Sequence, residues 1–185
     1  MTANAPLNGV NLDALAELGE NGRKDRSTTK FSFAVSGSWD GGSKMTATTG
    51  SAHMGGFHDT ARAGRFTMTS DEPIPLGSDA GPNPVEYVLQ ALAACYTVGL
   101  ATTAAQRGIA LDSYTIDIDG DVDLAAFFGV DETVTPGLTQ IRAAITATSS
   151  NADRQQLEDL VAEVERTSTV RYTLAHPVEV ITHLK

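Results

Sequence analysis

From Val85 to Ala105 the chain reads VEYVLQALAACYTVGLATTAA, a helix-length run whose most polar side chains are Glu86, Gln90 and Thr97. These recur at spacings of 4 and 7 residues, so on a helix they form one thin stripe. Everything else in the run is apolar or small, and the helix is expected to be buried nearly all round. Asn83 suits the N-cap, Pro84 the first helical position, and Gly108 the stop. Ala91, Ala93, Ala94, Gly99 and Ala101 allow another helix to approach closely. One small domain cannot cover so many sides, so an obligate homodimer is expected to bury the rest.

The remaining segments supply the cover. Phe31, Phe33 and Val35 alternate with small residues as in a strand, Asp40-Gly41-Gly42 is a hairpin turn, and Lys44–Gly50 returns. Arg65–Ser70, Tyr114–Ile118, Ile141–Ile145 and Val178–Ile181 read as further strands. Ala152 to about Arg166 reads as a second helix with Leu157, Leu160, Val161 and Val164 on its inner face. There is no βαβ rhythm, so the class is α+β, a mostly antiparallel sheet around a buried helix. Residues 1–30 are set apart as an N-terminal arm and residues 31–185 as the domain. In the arm Asn11 caps a short helix bearing Leu12, Leu15 and Leu18, Gly19 stops it, and Glu20–Lys30 is polar, read as flexible or exposed. His53–Gly64, Asp71–Asn83 and Leu124–Gly137 are loops.

Charge narrows the function. The 185 residues carry 13 basic and 23 acidic side chains, a net charge of -10. Such a chain repels phosphate backbones and anionic lipid, so nucleic-acid and membrane partners are not expected. No apolar run is read as a bilayer span, and the N-terminus lacks the basic start and apolar core of a signal peptide. The single cysteine, Cys95, cannot form an internal disulfide, which points to a reducing, cytoplasmic setting. His53 and His58, with Asp59, fall in a glycine-rich loop and lack the further ligands of a zinc site. They are read as exposed loop residues, and neither metal nor cofactor is expected.

Asp71-Glu72-Pro73 followed by Gly81-Pro82-Asn83-Pro84-x-Glu86-x-x-Leu89-x-Ala91-Leu92-Ala93-x-Cys95 resembles the OsmC/Ohr family, as does the closing Ser168-x-Val170 and His176-Pro177-Val178 segment. The resemblance covers roughly residues 31–183. It implies an intertwined homodimer, with a central helix pair wrapped by the sheets and active sites at the interface. It also implies reduction of organic hydroperoxides by a reactive cysteine, with a resolving cysteine, an arginine and a glutamate. Cys95 matches the reactive position. Ser168 stands where the resolving cysteine falls, Val85 where the glutamate falls, and Ser43-Lys44 follow Gly41-Gly42 where the arginine is usual.

A nucleophilic cysteine needs a lowered pKa, and burial without a compensating partner raises it. A cation within about 4–6 Å would supply that lowering, and Lys44 and Arg65 are preferred over Arg62 and Arg171. Cys95 lies too far into its own helix for that helix's N-terminus to help. Glu86, nine residues before Cys95, faces the opposite side of the helix, so it is read as a cap first and as a catalytic group second. Tyr96, Phe127, Phe128 and Ser168 are the candidate substrate-binding residues; Phe127 and Phe128 either roof a pocket or anchor a loop. Two functions result. One is a single-cysteine peroxidase acting on small organic hydroperoxides with an external thiol reductant. The other is a non-catalytic protein that binds a small apolar ligand on the same fold.

Overall fold

The structure, a computed structural model, describes residues 6–184; the first five residues of the expected arm and Lys185 lie outside the described residues. The chain divides into two compact units. One is Asn11–Tyr87; the other runs from Val88 onward and includes the segment ending at Val10.

In the Asn11–Tyr87 unit, α1 spans Leu12–Lys24, and Asn11 caps it by accepting from the Ala14 N–H. Gly19 was expected to end this helix, but the helix runs a further turn and more. Glu20 pairs with Arg23 and Lys24 one turn ahead, which supports the helix past Gly19 and Gly22. The expected strand around Phe31–Val35 is two strands, β1 (Phe31–Ser32) and β2 (Val35–Gly41), in different sheets. β2 turns at Gly41 and Gly42 (φ 98° and 60°) into β3 (Lys44–Thr49).

The segment from His53 to Gly64, expected to be irregular, contains a second hairpin, β4 (Ala52–Met54) and β5 (Phe57–Asp59). Its turn is Gly55-Gly56 with φ 58° and 89°, the values of a type I′ turn. β6 (Thr67–Ser70) completes the order β2-β3-β6, beside a separate sheet β1-β4-β5.

The loop after β6 is organised by Asp71, which is 1% exposed. Its carboxylate accepts from the Ser43 and Ser78 hydroxyls and from the N–H groups of Glu72, Ser78 and Ala80. The Ser43 and Ser78 bonds hold this carboxyl far below the usual range, against burial. Its stabilising effect is therefore full at neutral pH and is lost progressively as pH falls from the ordinary aspartate value through the depressed one.

The second unit is a helical layer on a two-stranded sheet. α2 spans Pro84–Gln106, its first turn being the end of the preceding unit. β7 (Ser113–Val122) and β8 (Leu138–Thr148) pair antiparallel, and Tyr114, Ile116, Ile118, Ile141 and Ile145 pack against the core. α3 (Arg154–Thr167) starts from a capping box of Asp153 and Gln156 and buries Leu160 and Val164 against Leu92, Tyr96 and Leu100 of α2. α4 (Thr169–Ala175) follows after one extended residue. Asn8 ties the segment before α1 to this unit, donating to the Ile109 carbonyl and accepting from the Leu111 N–H, both at 2.9 Å.

Three expectations change here. α2 is long and apolar enough, by length and composition, to cross a membrane, contrary to the reading of the sequence. It is not buried all round: one face packs in the core, while Gln90, Ala91, Ala94, Thr97 and Val98 form an exposed stripe. The strand expected at Val178–Ile181 is absent, and Val178, Val180 and Ile181 are exposed without a ladder partner among the described residues.

Candidate active site

Cys95 projects from the middle of α2 and is half-buried. α3 ends at Ser168, whose N–H still donates to the Val164 carbonyl at 2.9 Å. Ser168 then takes extended backbone angles (φ -66°, ψ 118°) and caps α4, its hydroxyl accepting from the Arg171 N–H at 3.1 Å. The same hydroxyl donates to Cys95 Sγ at 3.2 Å, and Thr169 Oγ1 lies 3.7 Å from the sulfur. Ser168 is 6% exposed while Thr169 is exposed, so the Ser168 contact is the more sheltered of the two.

Burial pushes the Cys95 thiol up, but hydrogen bonds from Ser168, the Val170 N–H and Thr169 outweigh it, and the net direction is down. The lowering comes from donors at the α3–α4 junction. Residues in the first turn of α4 assist, whereas the sequence directs attention to a nearby cation, Lys44 or Arg65 first, and sets α2's own terminus aside. Thr169 went unnoticed there; its signal is the Ser-Thr pair before a short apolar helix, an ordinary capping pattern.

A cleft of about 630 Å³ opens beside this junction, walled by Val88, Leu92, Ile141, Val161 and Leu174 among others. Tyr96 and the ion pair Arg171–Glu165 (2.8 Å) line it. Burial raises the Tyr96 phenol, the Glu165 charge adds to this, and Arg171 opposes it. Its lining is mostly apolar, with Thr139, Gln140, Glu165 and Arg171 as the polar groups, a composition usual for a small-molecule site. Cys95 is not among its lining residues.

Of the sequence-based candidates, Cys95, Ser168 and Tyr96 come together here. Phe127 and Phe128 do not join them: they are 74% and 54% exposed, pack edge to face at 5.3 Å, and do not line the cleft. Lys44, Arg65 and Glu86 belong to the Asn11–Tyr87 unit. Lys44 opens β3 and Arg65 lies over the Phe66 ring at 5.2 Å. Glu86 accepts from the Asn83 N–H while Asn83 accepts from the Glu86 N–H, a reciprocal cap at the start of α2.

The family model for OsmC-like protein matches residues 77–183, more than half of the chain. The chain belongs to the OsmC-like family. Solved structures agree on the fold. An OsmC-like protein from Mycoplasma pneumoniae superposes with a TM-score of 0.60 at 18% identity, covering 79% of this chain and 89% of that one. An OsmC-like protein of unknown function from Vibrio cholerae gives 0.57 at 16% identity, covering 82% and 97%. The organic hydroperoxide resistance protein OsmC from Legionella pneumophila gives 0.54 at 17% identity, covering 77% and 88%. No curated protein matches the chain. In this OsmC-like chain Ser168 occupies the place facing Cys95 on the segment between α3 and α4.

Linkage fixes the sign of the pH effect. Because the folded thiol titrates below its unfolded value, thiolate stabilisation is present above the unfolded pKa and is lost as pH falls through the folded one. Iodoacetamide alkylation of Cys95 is expected to have its midpoint below that of an unstructured cysteine peptide. Ser168→Ala is expected to raise that midpoint and to slow alkylation at neutral pH by about tenfold, the worth of one charge-assisted hydrogen bond. An unchanged profile in Ser168→Ala would show that the hydroxyl does not tune the sulfur.

Proposed function

We propose that this chain reduces small organic hydroperoxides through Cys95 in a one-cysteine cycle completed by an external thiol, in the cytoplasm. The observation that supports it is the Ser168 hydroxyl donating to Cys95 Sγ at 3.2 Å in a chain with no second cysteine. The thiolate attacks a peroxide oxygen; the S–O bond forms, the O–O bond breaks, and the alkoxide takes a proton and leaves as an alcohol. Cys95 is left as sulfenic acid. A thiol then attacks its sulfur, water departs, and a mixed disulfide forms; a second thiol releases Cys95 and carries away the disulfide. One hydroperoxide and two thiols thus yield an alcohol, a disulfide and water. The Legionella pneumophila relative's name supports the substrate class.

The same reading takes the protein as a homodimer. The exposed α2 stripe of Gln90, Ala91, Ala94, Thr97 and Val98 is small enough for a second helix to pack closely. A second copy would also cover exposed Val98. The apolar cleft favours a second reading, a non-catalytic protein holding a small apolar ligand.

With cumene hydroperoxide and no thiol, the protein is expected to consume about one equivalent per chain and stop, with turnover appearing on addition of dithiothreitol. Cys95→Ser is expected to abolish both phases. Binding of the hydroperoxide without its consumption would favour the ligand-binding reading instead. Sedimentation at micromolar concentration is expected to give twice the 19.4 kDa chain mass, and a folded monomer would contradict the dimer.

A further inference from the structure

The β4–β5 hairpin carries two histidines directly opposite each other, His53 paired with His58. Their rings stack at 4.0 Å between centroids and 10° between planes. Both side chains are exposed. The register that opposes them is fixed at two places. The Gly55-Gly56 turn has positive φ at both residues, so the connection is a tight two-residue one. The turn also sits on the chain before β1: the Gly55 N–H donates to the Lys30 carbonyl at 3.2 Å, and a Cβ at Gly55 would collide with the Thr28 carbonyl oxygen. β1 pairs on the other side of β4 and places Ser32 opposite His53. Ser32, His53 and His58 therefore form one row across three strands on one face. Phe31, Met54 and Phe57 form the adjacent row on the other face. Asp59 falls on that second face and its carboxylate accepts from the Ala61 N–H, so it is not a member of the histidine row.

We propose that His53 and His58 form a two-imidazole site for a borderline divalent transition-metal ion, zinc being the probe of choice. Imidazole nitrogens suit zinc, copper and nickel, and each binds zinc at about 2.0–2.1 Å. An ion shared by two rings in tetrahedral geometry separates its nitrogens by roughly 3.3 Å. The ion must lie in the plane of each ring, so binding turns the rings out of their parallel stack by roughly 55° each; the cross-strand register keeps both within reach, and the exposed side chains are free to turn. Solvent completes the coordination, with the Ser32 hydroxyl on the same face. Such a site staples β4 to β5 and stabilises the hairpin by mass action. It belongs to the Asn11–Tyr87 unit and does not depend on the peroxidase reading.

The test is zinc titration of the full-length reduced protein, by competition with a chromophoric chelator and by following imidazole resonances. One zinc-binding component is expected to weaken by about tenfold or more in His53→Ala and equally in His58→Ala, a lost ligand costing no less than a lost outer-shell partner. It is expected to persist in Cys95→Ser and in the double variant His176→Ala/His183→Ala. Perturbed resonances are expected from His53 and His58 alone. Zinc binding that is indifferent to His53→Ala, or that loses only with Cys95→Ser, overturns the proposal. So does the absence of any zinc binding by the unmodified protein. The imidazoles are exposed, and circular dichroism of the variants separates loss of ligand from loss of fold.

Discussion

The close approach of α3 to α2 at Gly99 positions everything that makes this site chemical. A Cβ at Gly99 would stand 2.8 Å from Val164 Cγ1, so only glycine admits α3 at this distance without a shift. Around that point Leu100, Leu160 and Val164 are buried almost completely. One turn along α2 toward its start lies Cys95, and one turn along α3 toward its end lies Ser168. The contacts Gly99–Val164 and Cys95–Ser168 therefore run in opposite chain directions, as antiparallel helices require. The core packing sets the spacing, and the spacing brings the hydroxyl to the sulfur.

Two opposed terms decide the state of that sulfur. Partial burial disfavours a thiolate, and a buried cysteine without partners is an inert apolar residue. Here Ser168 does two things with one side chain. Its oxygen accepts from the Arg171 N–H, which fixes the cap of α4, and its hydrogen points to Cys95. That arrangement also presents the Val170 N–H to the thiol. The lowering thus comes from backbone and hydroxyl donors held by the helix junction.

Much of this was legible in the sequence. The α2 span, the first hairpin and the α+β class rest on strong local signals: an Asn-Pro cap, a Gly-Gly turn and alternating apolar residues. Ser168 could be placed opposite Cys95 only through the family resemblance, because the contact joins residues 73 positions apart. The β4–β5 hairpin was missed because its strands are three residues each, too short for alternation to register, although Gly55-Gly56 is itself a turn signal. The absent strand at Val178–Ile181 shows the opposite error. Alternation was present, but a strand needs a ladder partner as well as a pattern, and no such partner occurs among the described residues. Asp71 was passed over because nothing local announces a carboxylate that gathers donors from Ser43 and Ser78.

Position 168 faces Cys95 within bonding reach, and on the proposed peroxidase reading the serine there is what leaves the cycle with one cysteine. Ser168→Cys tests it most directly. After one equivalent of cumene hydroperoxide, intact-mass analysis should show loss of two hydrogens, and peptide mapping should find Cys95 joined to the introduced thiol. Sulfenic acid persisting on Cys95 beside a free introduced thiol, in a variant with native circular dichroism, would contradict the account.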